Sequence, residues 1–115
     1  MDLSIFSEDI FYLIYEYVIF IPKTNLELRR KVSEYLKYKN YNFEKYGHIS
    51  NWDTKFITNM SYIFYNSNNF NEELYWNTEN VINMEGMFFR ATIFNKPLHF
   101  KTNNVKNMYS MFRNA

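Results

Sequence analysis

The sequence predicts an α+β repeat solenoid. Its units are about 24 residues long, each a short helix plus a short strand, and an N-terminal helical hairpin caps them. Two observations carry this prediction. The first is a 24-residue lag in the second half of the chain. Trp52, Trp76 and Phe100 fall in register, as do Thr54, Thr78 and Thr102; Ile57, Val81 and Val105; Asn59, Asn83 and Asn107; Met60, Met84 and Met108; and Phe64, Phe88 and Phe112. Phe70 with Phe94, Asn71 with Asn95, and Leu74 with Leu98 extend the register. A fixed period of this size marks one supersecondary unit stacking on the next. The second observation is the lack of any repeat before about residue 45, where capping signals and helical spacing read as two helices. The division is therefore a cap over residues 1–47 and repeats over 48–115, with two full units and a partial third.

In the cap, Ser7 is an N-cap candidate, and Glu8 and Asp9 suit the first turn. Ile10, Leu13, Ile14, Tyr17 and Val18 follow helical spacing, and Pro22 stops the run. Thr24 and Glu27 form a capping-box pattern. The helix it opens has Leu28, Val32, Tyr35 and Leu36 on its apolar face and Arg29, Arg30, Lys31 and Lys37 on the other.

Within each repeat, Met60, Ile63 and Phe64 stand at i, i+3 and i+4. Met84, Met87 and Phe88 repeat this, as do Met108, Met111 and Phe112. That spacing makes one face of a short helix. Asn59, Asn83 and Asn107 precede it as N-caps, and the small residues Ser67, Ala91 and Ala115 follow it. Residues 70–75 and 94–99 are the strand candidates, although Pro97 removes a ladder donor from the second.

Composition excludes several functions. A net charge of +1 gives no electrostatic case for nucleic acid or an anionic membrane, so neither is expected as a partner. The basic run at Arg29 to Lys37 is broken by Glu34 and reads as a solvated helix face. With no cysteine, disulfides, thiolate metal sites and cysteine nucleophiles are out. The most apolar stretch, residues 10–21, is too short to span a bilayer and contains Glu16. Asp2, Glu8 and Asp9 precede it where a signal peptide carries positive charge. The expected setting is intracellular: cytoplasmic, or host cytoplasm or virion if the chain is viral.

No constellation points to catalysis. His48 and His99 lack a matched carboxylate at ligand spacing, so no metal is expected. Glu72 and Glu73 are adjacent, and in a strand they would face opposite ways. Ser61 and Ser110 have no His or Asp in the same repeat to complete a triad. Gly47 and Gly86 make no phosphate loop. The Met and Phe ladder reads as core. The chain is expected to be no enzyme and to hold no cofactor.

The unit Trp-Asp-Thr, Ile-Thr-Asn-Met, Ile-Phe, then Phe-Asn and Leu resembles the BspA-like leucine-rich repeats across residues 49–115. The resemblance implies short parallel strands backed by short helices, and binding or adhesion rather than catalysis. Many members of that family are surface proteins; this chain has neither a convincing signal segment nor a lipidatable cysteine. At the N-terminus, Phe6-Ser7-Glu8-Asp9-Ile10, Ile14 and Tyr17-Val18 resemble an F-box, with Phe6-Ser7 in place of its Leu-Pro. Leu28, Val32 and Tyr35 stand for its second helical block. That resemblance implies a substrate receptor of a ubiquitin ligase.

Positions that vary between repeats are the candidate partner surface. Tyr75, Asn77 and Glu79 are matched by His99, Lys101 and Asn103. Tyr65, Phe89 and Arg113 share one slot without sharing chemistry. Phe112 belongs to the end of the array, where Val105, Met108 and Met111 are also expected to present apolar surface. By the repeat period a Phe-Asn and Leu segment would follow Ala115. This end is therefore expected to be covered by a partner protein, a self-associating copy or further natural sequence. The expected function is a non-enzymatic protein–protein interaction or scaffolding module. The alternatives are a structural or assembly component of a viral or bacterial particle and the F-box-type receptor.

Overall fold

The computed structural model describes residues 19–37 and 41–115. The first expected helix and the F-box-like block at residues 6–18 lie outside the described residues.

Helix α1 spans Asn25–Lys37. Its start is held by two bonds across the capping pattern. The Glu27 amide donates to the Thr24 hydroxyl at 3.1 Å, and the Lys23 amide donates to the Glu27 carboxylate at 3.3 Å. Glu27 in the first turn and Lys37 in the last also suit the helix dipole. Leu28 and Val32, one turn apart, are the buried residues of this helix. A single helical turn, α2, spans Phe43–Tyr46. The Asn42 side chain caps it by accepting from the Lys45 amide at 3.0 Å. Gly47 leaves it at φ 67°, a left-handed conformation that favours glycine. A 3-10 turn, Ile49–Asn51, then delivers the chain to Trp52.

An aromatic cluster joins these pieces to the repeats. Tyr35, Tyr41 and Phe20 each bring a ring within 6.3 Å of Trp52. The Tyr41 hydroxyl and the Trp52 indole both donate to the Gly47 carbonyl, at 2.8 and 3.3 Å. The Tyr35 hydroxyl donates to Glu72 at 2.9 Å. Burial first, then this bond, pushes the Tyr35 phenol well above the usual tyrosine range.

From Trp52 onward, residues pair at the 24-residue lag. Asn59 bridges Asn83 in parallel, and Asn83 bridges Asn107. The amides of Met60, Tyr62, Phe64 and Asn66 donate to the carbonyls of Asn83, Glu85, Met87 and Phe89 at 2.8–2.9 Å. Those of Met84, Gly86, Phe88 and Arg90 donate to Asn107, Tyr109, Met111 and Arg113 at 2.8–2.9 Å. Equivalent rings therefore stack. Phe64 lies 5.3 Å from Phe88, and Phe88 lies 5.5 Å from Phe112, with ring planes nearly parallel in each case. Phe70 and Phe94 are 5.5 Å apart, and Trp52 and Trp76 are 6.3 Å apart. These spacings follow the separation of neighbouring backbones, about 4.8 Å in a β-ladder. Met60, Phe64, Met84, Met87 and Phe88 are fully buried.

The local conformation differs from the helix-plus-strand unit that the spacing predicts. Residues 59–66, 83–90 and 107–114 form no helix. In the first two of these segments alternate amides bond across to the next unit, so those donors are not free for i−4 carbonyls. Tyr62 and Asn66 have φ of 58°, and Arg90 and Asn114 have 61° and 57°, which a right-handed helix forbids. The i, i+3, i+4 burial comes instead from tight turns. Tyr65 bonds back to Tyr62, and Ser67 to Phe64, across three residues. Asn59, Asn83 and Asn107 are not helix N-caps. Each side-chain oxygen accepts from the amide two residues on, at 2.8, 2.8 and 2.9 Å, in an Asx turn. Residues 70–75 and 94–99 form no strand. Phe70, Leu74 and Trp76 anchor the first of these segments by burial, and its Tyr75 amide bonds to Ser50 at 3.1 Å.

Candidate functional site

The candidate surface residues fall in three places. Tyr75, Asn77, Glu79, His99 and Lys101 come together around one shallow depression of about 240 Å³. Tyr75, Asn77 and Glu79 flank the buried Trp76 and Thr78, and Lys101 is tied to Thr78 by its amide and its carbonyl, at 2.8 and 3.0 Å. His99 stacks on Tyr75 with centroids 6.2 Å apart. Lys101 pairs with Glu79 at 2.7 Å, which holds the Glu79 carboxyl below its ordinary range. Tyr75 donates to Glu73 at 2.6 Å, a bond that raises its phenol. Glu79 and Lys101 thus pair within the depression, and Tyr75 bonds outward to Glu73.

The second place is a ridge on the ladder. Tyr65 and Phe89 occupy the same slot in successive units, with rings 5.4 Å apart. Tyr62 meets Tyr65 edge-on at 5.9 Å. The guanidinium groups of Arg90 and Arg113 lie 5.4 and 5.9 Å from the Phe89 ring, within cation–π range. Arg90 and Tyr62 escaped the sequence reading. The Arg90 slot holds Asn66 and Asn114 in the other units, and the Tyr62 slot holds Gly86 and Ser110. Arg90 departs from the asparagine of its slot, the Tyr62 slot differs in every unit, and only the fold brings them beside the Tyr65 slot. Gly86 is small for a physical reason, since a methyl group there would run into the Tyr62 ring.

The third place is the far end of the ladder, where Phe112 is 52% exposed and Met108 is 45% exposed. Met111, expected at this surface too, is buried. Phe112 shares no contact surface with the depression at Tyr75 and His99.

The remaining candidate chemistry is dispersed. His48 packs against Phe43 at 4.9 Å, whereas His99 stacks on Tyr75. Among the described residues, no group of three or more His, Cys, Asp or Glu is placed to hold a metal ion. On the basic face of α1, Lys31 pairs with Glu34 at 2.9 Å and lies 3.6 Å from the Tyr46 ring. No described helix is long and apolar enough to cross a membrane.

No curated protein and no solved structure matches the chain. A family does, over a span that opens inside α1 and runs through the whole ladder. Residues 32–115 match the family described as "Mycoplasma protein of unknown function, DUF285", and the chain belongs to that family.

Proposed function

We propose that this protein is a non-enzymatic protein-interaction module built on a repeat solenoid of the BspA-like leucine-rich class. The family it belongs to is related to the BspA-like repeat proteins. Pairing at the 24-residue lag supports a stacked-unit reading. In this reading the units are made of turns rather than helices. The absence of cysteine fits a reducing intracellular compartment.

The observation that carries the interaction reading is the ridge of Tyr62, Tyr65, Phe89, Arg90 and Arg113. Tyrosine and arginine dominate the energetics of protein interfaces because they combine large apolar area with directed hydrogen bonds. Here the ladder amides of Asn66 and Arg90 hold the backbone beneath them. Binding would therefore order few additional degrees of freedom. Inner slots of the ladder keep one chemistry in every unit, whereas this outer slot changes from Tyr65 to Phe89 to Arg113. That contrast supports recognition as the role of the ridge.

The test is cross-linking with mass spectrometry in source cells, comparing the wild type with a Tyr65→Ala/Arg113→Ala double variant. The expected result is a protein partner whose cross-links fall near residues 62–65, 89–90 and 113. They should vanish in the double variant and persist in Tyr75→Ala. A partner that survives the double variant, or one that maps to the Tyr75–His99 depression, contradicts the assignment.

A further inference from the structure

A groove of about 510 Å³ runs between α1 and the turn at residues 62–69. Asparagine side chains pin α1 to the first unit at both ends. Near the start of the helix, the Asn25 amide group donates to the Asn59 and Ser61 carbonyls at 2.9 and 3.3 Å. Near its end, the Asn69 amide group donates to the Leu36 carbonyl at 3.0 Å. Between these ties, the buried Val32 and Ile63 make the floor. The walls are therefore set before anything binds, and the volume lies within the range of ligand sites.

The charge in the groove is one-sided. Arg29 and Lys37 line it from α1, and no described carboxylate does. Both are exposed, and neither forms an ion pair among the described residues. Lys31 of the same helix is by contrast paired with Glu34. Arg29 and Lys37 stand two helical turns apart, about 12 Å along the axis. A cation beside an apolar floor attracts an anion more strongly than one in open water, because the local dielectric is lower.

An extended polypeptide matches this spacing. Its residues rise about 3.3 Å each and alternate faces, so side chains four positions apart share a face about 13 Å apart. Carboxylates at the first and fifth positions would meet the two cations, and an apolar residue at the third would sit over Val32 and Ile63. The opposite wall carries the side-chain amides of Asn66 and Asn68, which suit the free peptide groups of an extended chain. A helix has no such groups to offer along its side. Nucleic acid fits less well, since its affinity comes from many neutralised phosphates and the groove supplies two cations.

We propose that the groove between α1 and residues 62–69 binds an extended acidic segment of a partner protein, with carboxylates four residues apart. This inference rests on the interaction reading above and names the chemistry of the partner, since Tyr62 and Tyr65 of the ridge also line the groove.

The test pans a random seven-residue peptide library on the full chain and titrates the recovered peptides by fluorescence anisotropy. They should carry Asp or Glu four positions apart. Arg29→Ala/Lys37→Ala should weaken their binding by roughly tenfold or more. Arg30→Ala/Lys96→Ala removes the same charge outside the groove and should change it by less than about twofold. All four side chains are exposed, so both variants should melt like the wild type. Replacing the two acids of the peptide by their amides should weaken binding as much as the first variant does. Peptides without the acidic pair, equal losses in the two double variants, or displacement by a short RNA at a lower concentration than by unlabelled peptide would overturn the proposal. If the library yields no binder while the cross-links near residues 62–65, 89–90 and 113 behave as expected, the groove proposal falls and the interaction reading stands. If those cross-links fail as well, both fall.

Discussion

At the rear of the ladder, the Asn25 side chain meets the Asn59 and Ser61 carbonyls, and α1 buries Leu28 and Val32. At the front, the equivalent ring and thioether are about half exposed at Phe112 and Met108. The backbone bonding pattern and side-chain slots are the same along the ladder. The difference therefore isolates what a covering element contributes. A buried slot and an exposed slot carry the same residue types, so identical substitutions can be compared directly between them.

The largest effect should come from the shared Phe slot. Phe88→Ala removes a fully buried ring stacked on both sides, and should cost about 3–5 kcal/mol in chemical denaturation. Phe112→Ala removes a half-exposed ring stacked on one side, and should cost about 1 kcal/mol. Equal costs would erase the contrast between the two positions.

Next is Gly86→Ala. The added methyl meets the Tyr62 ring at a positive φ, and about 1–3 kcal/mol should be lost. A double-mutant cycle with Tyr62→Ala should recover much of that loss. Full additivity would show that the ring does not lie over Gly86.

Asn25→Ala sharpens the comparison at the covered end. It strips the donor from the Asn59 and Ser61 carbonyls and should cost about 1 kcal/mol. Amide exchange should quicken near Asn59 and stay unchanged near Met108. Quickening along the whole ladder would mean that the two ends are not independent.

A smaller effect is confined to alkaline solution. Burial raises the Tyr35 and Tyr41 phenols in the folded chain, and for Tyr35 the bond to Glu72 adds to this. A raised folded pKa favours the protonated phenol. Its stabilisation is complete below the unfolded tyrosine value of about 10 and is lost as pH rises through the folded values. Melting should thus fall at alkaline pH, and Tyr35→Phe should shallow that fall. An unchanged pH profile in Tyr35→Phe would remove this residue from the account.

The in-register residues were legible because a buried slot tolerates little change in volume or polarity. Phe64 and Phe88 could therefore be placed in the core from the lag alone. The helix over 59–66 was misread because turns bonded across three residues return side chains to one face much as a helix does. Positive φ at Asn66, Arg90 and Asn114 had no glycine to announce it, and in the Tyr62 slot only Gly86 does. That Tyr75, Asn77, Glu79, His99 and Lys101 lie together follows from their being lag partners and near neighbours, although the sequence did not announce a depression there. The Arg90 side of the ridge was not legible, since its contact with Phe89 follows from the turn geometry.

The most direct test is residue-resolved amide exchange of the free chain. The account predicts slow exchange at Met60, Phe64, Met84, Gly86 and Phe88, whose amides bond across units. It predicts fast exchange at Ile63, which lies between them without a backbone partner, and at Met108, Ser110, Phe112 and Asn114. Continuous helix-like protection through residues 60–66, or equal protection at Phe88 and Phe112, would contradict it.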